Sequence, residues 1–314
     1  MTDTSGIPGD APDNPLEENG RLMRRASYAS VGVALLLILL KLGAYLATNS
    51  VAMLSTLVDS ALDLVASLVN LFAIRHALTP ADREHRFGHG KAEALAGLFQ
   101  SAIIVGSSAF LLFQAGERLL HPEPIMAETI GLVVMVLSIV FTLALVAYQR
   151  HVIRRTTSVA ISADSLHYVG DLLINGGVIA ALILGTQLGW IYADGFIAIG
   201  IALVLAYSAW QIIRAALSEL MDEELGEEER EQIKDIALAE PGVIGIHDLR
   251  TRRSGQQIFM QMHLDINADI TLLAAHNISD AVEIRLMHAF PEAEVIIHKD
   301  PVRPPAPPHS DQLP

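Results

Sequence analysis

The chain of 314 residues contains no cysteine. It can form no disulfide and offers no thiolate, so any metal chemistry falls to His, Asp and Glu. Charge is also scarce. Asp, Glu, Lys and Arg make up 18% of the residues against 52% hydrophobic, a balance that argues for lipid-facing segments rather than a soluble globule. Positive charge is the scarcer sign, and a net charge of -14 argues against nucleic acid as a partner on electrostatic grounds. No HExxH-like motif is present, and nothing else supplies the open metal position with adjacent acid or base that a metalloenzyme needs. The first twenty residues, MTDTSGIPGDAPDNPLEENG, lack the apolar centre of a cleaved signal peptide. Acidic and rich in Pro and Gly, residues 1–20 are expected to form a disordered cytoplasmic tail.

What the chain has instead is a set of long apolar runs, at 28–48, 53–74, 95–116, 125–148, 169–188 and 191–213. Each is long enough to cross roughly 30 Å of hydrocarbon as a helix rising 1.5 Å per residue. The expected architecture is an all-α six-helix transmembrane bundle over residues 21–214. Arg21, Arg24 and Arg25 precede the first run. Arg75, Arg83, Arg86 and Lys91 lie between the second and third, Arg150, Arg154 and Arg155 between the fourth and fifth, and Arg214 after the last. The opposite loops carry Arg118. This bias places both termini in the cytoplasm. Lys41, inside the first run, is expected to snorkel or to pair with an acidic group in the bundle.

Four ionisable residues sit inside these helices. Asp59 and Asp63 lie in VAMLSTLVDSALDLVASLVNLFAI, and His167 and Asp171 in ADSLHYVGDLLINGGVIAALIL. The i,i+4 spacing puts both members of each pair on one helix face, so two helices can enclose a tetrahedral site of three carboxylates and one imidazole. Polar packing without a metal is the bland alternative, but two pairs of identical spacing are expensive in a bilayer. Oxygen ligands with one nitrogen suit Zn²⁺ and tolerate Cd²⁺, Fe²⁺ or Mn²⁺. The same groups bind protons, with His167 the natural carrier near neutral pH, so protons and metal compete and antiport follows. A passive channel or uniporter would use the same carboxylates, but conduction needs weak or multiple sites. A membrane-anchored metal sensor would gain nothing from intramembrane charges.

Two further clusters could take metal. In the loop ADREHRFGHGKAE, Asp82, His85 and His89 can reach one ion, although Arg83, Arg86 and Lys91 weaken the attraction. From about residue 215 the chain becomes polar, and residues 215–300 read as a small α+β cytoplasmic domain in α-β-β-α-β order. It carries His247, His263, His276, His298 and Asp300, candidates for a two-metal site. Strand alternation places His298 and Asp300 on one face. The histidines at 76, 121, 151, 288 and 309 are expected to be surface or capping groups, HPEP at 121–124 a turn, and residues 301–314 a disordered Pro-rich tail.

The segments SVAMLSTLVDSALD, HRFGHGKAEALA, ADSLHYVGD, PGVIGIHDLRTR and AEVIIHKDP together resemble the cation diffusion facilitator (CDF) family, in its bacterial zinc and ferrous-iron efflux branch. The resemblance runs from about residue 22 to Pro301. It implies a homodimer in the bacterial inner membrane, each protomer a divalent-metal/proton antiporter working by alternating access, with zinc ranked before iron as the exported ion. The family's transport site carries over onto Asp59, Asp63, His167 and Asp171, its loop site onto Asp82, His85 and His89, and its cytoplasmic binuclear site onto His247, His263, His276, His298 and Asp300. The resemblance also implies a metallochaperone-like fold for the cytoplasmic domain, which binds regulatory or stabilising Zn²⁺, and a charge interlock between Lys91 and Asp222. Beside Asp222, Glu223 and Glu224 add negative charge to that contact.

Overall fold

Long apolar segments satisfy their backbone groups internally when they coil, and the described part of each apolar run of this chain is helical, apart from a turn at 191–192. The computed structural model describes residues 15–121 and 129–303. Its first unit, Met1–Leu220, contains α1 (Pro15–Thr48), α2 (Val51–Ala77), α3 (Lys91–Leu120), α4 (Thr129–Thr156), α5 (Val159–Leu188) and α6 (Ala193–Leu220). Among the described residues these six are long and apolar enough to cross a membrane.

Where the helices outrun the apolar runs, capping chemistry and not hydropathy ends them. α1 begins at Pro15, inside the segment expected to be disordered. Proline suits the first helical position, and Glu17 and Glu18 favour the first turn. The rest of that tail, 1–14, lies outside the described residues, as do 122–128 and 304–314. α5 begins ten residues before 169. Ser162, Asp164, Ser165 and His167 interrupt the apolar run, yet the backbone coils from Ser158, whose hydroxyl accepts from the Ile161 amide at 3.1 Å. α5 ends at Gly189, where φ is +66°. α6 continues past Arg214 to Leu220.

Packing brings α3 beside α6, α1 beside α2 and α4, and α5 beside α4 and α6. Small residues set the closest approaches. A β-carbon on Gly195 of α6 would lie 2.6 Å from Leu119 of α3, and one on Gly97 of α3 would lie 2.6 Å from Val159 of α5. Met23, Ala26, Ile74, Ala96, Val152, Ala160 and Ile161 form a buried cluster where the start of α1, the end of α2 and the α4–α5 connection meet.

The second unit, Met221–Pro314, contains α7 (Glu227–Leu238), β1 (Val243–Ser254), β2 (Gln257–Asn267), α8 (Leu272–Ala289) and β3 (Ala293–Val302), the expected α-β-β-α-β order. β2 is central, antiparallel to β1 and parallel to β3. Its alternation decides the layers. Ile258, Met260, Met262 and Leu264 pack against Ile233 and Ala237 of α7 and Val282 and Leu286 of α8, which leaves the opposite face of the sheet for His263 and Asp265. α7 starts with the Gly226 amide donating to Glu229 at 3.2 Å, and α8 with the Ala274 amide donating to Thr271 at 3.2 Å. Pro301 and Val302, assigned from sequence to the disordered tail, complete β3 opposite Ile266 and Asn267.

Candidate metal centre

Asp63 on α2 and His167 on α5 meet with His167 Nε2 2.9 Å from a carboxylate oxygen of Asp63. Asp171, one turn beyond His167, joins them, and the ligand atoms of Asp63, His167 and Asp171 all lie within 4.8 Å of one another. The two acids and one imidazole are partly buried in the membrane-spanning bundle. The donor chemistry of such a set suits a divalent cation.

Asp59 stands outside this group. The same i,i+4 spacing brings His167 and Asp171 together on α5, whereas on α2 Asp63 alone reaches the group and Asp59 is exposed. Near Asp59, Lys41 of α1 donates to the Ser60 hydroxyl at 2.6 Å, and its charge acts on Asp59 and Asp171. Beside the trio, Tyr168 is fully buried and stands edge-on to His167, ring centroids 5.6 Å apart. Its hydroxyl shares a hydrogen bond with Ser67 of α2 at 2.8 Å and donates to the Ser30 carbonyl of α1 at 3.2 Å. Asp164, also fully buried, was not singled out in the sequence, although an acid one turn ahead of His167 was a readable signal.

The loop cluster assembles around Asp82. Its carboxylate lies 3.5 Å from His85 Nδ1 and 3.4 Å from His89 Nε2. Hydrogen bonds from the backbone amides of His85 and Glu84 hold the Asp82 carboxyl below the usual carboxylate range. His89 is buried, and its other ring nitrogen faces the Thr79 carbonyl at 3.3 Å. His76 is exposed, as expected of a surface residue, and its ring is tilted 59° against His89 with centroids 4.5 Å apart.

In the second unit, β-sheet register lines up His247, His263 and His298 as one row across the three strands. Asp300 serves the whole row. One carboxylate oxygen lies 2.7 Å from His263 Nδ1 and 3.2 Å from His247 Nε2, and the other 3.4 Å from His298 Nε2. The hydrogen bond from His263 lowers the pKa of Asp300 below the ordinary carboxylate value. His276 is not brought into this group. It lies on α8 and pairs with Asp280, one turn on, at 3.2 Å.

Two acids absent from the sequence reading approach instead. Asp265 lies 3.5 Å from His247, and Asp248 lies 3.8 Å from His263. Asp265 was readable, since it alternates in phase with His263. Its strand neighbour is Gly245, where a β-carbon would lie 2.5 Å from the Asp265 carboxylate. Asp248 was not readable, because it reaches the site through a register shift between His247 and Arg250, with its own φ at +47°.

Within the first unit Lys91 donates to the Leu220 carbonyl at 3.4 Å. Within the second, Asp222 accepts from Arg252 at 3.3 Å. Glu224 is turned onto Thr251, whose backbone amide donates to it at 2.9 Å.

Residues 27–221 match the cation efflux transmembrane domain family, and residues 225–302 match the cation efflux protein cytoplasmic domain. The chain is 48% identical over 281 residues to the cation-efflux pump FieF of Shewanella oneidensis, an alignment covering 90% of this chain and 95% of the relative. It is 46% identical over 282 residues to FieF of Klebsiella pneumoniae, covering 90% and 94%. Among solved structures, the zinc form of CzrB is 35% identical and aligns with 26% of this chain and 92% of its own, with a TM-score of 0.25.

Proposed function

Because the chain belongs to the cation efflux family, the cation diffusion facilitators, we propose that this multi-pass membrane protein is a divalent-metal/proton antiporter exporting Zn²⁺ across the bacterial inner membrane. The observation that carries this reading is the convergence of Asp63, His167 and Asp171 from two spanning helices on one point. A bilayer penalises such groups severely unless they face a cation or a proton. The exported ion is the substrate, and three protein ligands leave one position for Asp59 or water. The donor set ranks zinc first and admits Fe²⁺, Cd²⁺ or Mn²⁺.

Exchange follows from competition. A dication entering from the cytoplasm displaces protons from the acids and imidazole, and protons arriving from the other side displace the metal. Alternating access turns this competition into export, and the Arg and Lys distribution supports cytoplasmic termini. The protein acts as a homodimer. Metal at His247, His263, His298 and Asp300 stabilises or regulates it without travelling through it. The loop cluster at Asp82, His85 and His89, among basic neighbours, has a modest role.

The test is proton flux in sealed proteoliposomes under an imposed Zn²⁺ gradient. Zinc-driven proton countermovement is expected in the natural chain, falling to the protein-free background in Asp63→Ala or Asp171→Ala. Undiminished flux in both variants removes the assigned site. Zinc flux without proton movement replaces antiport by a uniporter or channel.

A further inference from the structure

The acid that the exchange mechanism leaves unused is Asp164. Its side chain is 0% exposed, as is that of Gln149 on α4, and Ser30 on α1 is buried beside them. One carboxylate oxygen, Oδ2, accepts from the Ser30 hydroxyl at 2.5 Å and from Gln149 Nε2 at 2.7 Å. Gln149 Nε2 also lies 3.0 Å from the Ser30 hydroxyl. The remaining two oxygens, Asp164 Oδ1 and Gln149 Oε1, have no hydrogen-bond partner among the described residues.

The two lone oxygens belong to side chains already joined by one hydrogen bond. Both are acceptors. An ionised Asp164 would leave both unpaired in a buried interior, where each unpaired polar group costs on the order of 1–3 kcal/mol. A single proton on Oδ1 resolves both, because the acid O–H then donates to the amide oxygen while the amide N–H donates to Oδ2. The partners presented by α1 and α4 are uncharged. The ionisable groups acting on Asp164 are His167 and Tyr168 on its own helix, with Asp63 of α2 and Asp171 beyond them.

We propose that Asp164 is a second proton-binding site of the membrane unit, loaded as a neutral acid paired with the Gln149 amide and emptied when a dication occupies the neighbouring trio. This rests on the antiport reading for its link to metal. The step is an ionisation: the Oδ1–H bond breaks, the carboxylate keeps the electron pair, and the proton leaves to water. A dication one turn away favours the charged form, and weak screening in the bundle strengthens that bias. Asp164 therefore supplies a proton to the exchange without ligating the ion.

Infrared difference spectra of the full-length protein in lipid, with proton release measured on Zn²⁺ addition, test the proposal. The natural chain is expected to show a protonated-carboxyl C=O band that Asp164→Asn abolishes and Gln149→Leu shifts. Asn keeps the paired donor and acceptor geometry, so that variant preserves the packing. Zinc is expected to diminish the band, and Asp164→Asn to release about one proton fewer per zinc bound. A natural chain with no band assignable to Asp164 holds a carboxylate there and overturns the proposal. A band that zinc leaves unchanged, with equal proton release in both chains, overturns the coupling. If the natural chain binds zinc and releases no protons, antiport fails and the coupling with it, while the band still decides whether the acid–amide pair exists. Should Asp164→Asn not fold, the Gln149→Leu band position decides: unshifted, it rejects the pairing.

Discussion

Asp300 is a carboxylate shared by a row of imidazoles, and sharing changes when it ionises. The hydrogen bond from His263 favours the charged form, so its folded pKa lies below the ordinary value of 3.8. The sign follows by linkage: the contribution to stability is fully present above 3.8 and is lost as pH falls through the lowered folded value. In chelator-treated protein, the thermal midpoint should exceed that of Asp300→Asn just above pH 3.8, and the gap should close as pH falls through the lowered folded value. A gap that is flat through the acid range removes the interaction. Residues such as Asp300 were legible from strand alternation, and Asp63, His167 and Asp171 from their spacing within apolar runs. Asp248 and the detached His276 were not, because a register shift and a helix orientation are properties of packing and leave no period in the chain.

The helices of the membrane unit are spaced by their smallest residues. A methyl group at Gly97 would lie 2.6 Å from the Val159 side chain and 3.3 Å from the Val159 carbonyl oxygen, so part of the obstruction is backbone that cannot rotate away. Gly97→Ala should cost about 1–3 kcal/mol through overpacking between α3 and α5, the helix that carries His167 and Asp171. Gly200→Ala is the control, since a β-carbon there meets nothing within 4 Å and alanine is the better helix former by about 1 kcal/mol. Unfolding curves in detergent should separate the two variants, and equal stabilities would remove the close-approach argument. Hydropathy located all six helices because burial in lipid needs long apolar runs. It misplaced the starts of α1 and α5, which a proline at the first turn and the Ser158 cap decide. Those signals are local and polar, and a search for apolar length passes over them.

At the scale of the whole chain, a membrane unit built on about two hundred residues is joined to a second unit of about eighty, near the size at which one core leaves little stability to spare. That core, one face of β2 against α7 and α8, leaves the other face of the sheet to a row of three histidines with Asp300, Asp265 and Asp248 around it. Alternation predicted the two faces. The straight row needed the register of a parallel pair, β2 with β3, which are joined through α8 and are distant in the sequence. The carboxylates so gathered repel one another less, and the imidazole nitrogens gain a partner, when a cation sits among them, so metal should stiffen this unit and strengthen any association it supports. The prediction is made on the full-length protein in detergent. Zn²⁺ should tighten self-association measured by sedimentation in the natural chain, and a chelator should reverse it. The double variant His263→Ala, His298→Ala should lose that response while retaining zinc-driven proton flux, because Asp63, His167 and Asp171 are untouched. Equal zinc-dependent association with and without the two histidines would remove the regulatory role, and loss of flux along with association would make metal at this sheet a requirement for transport.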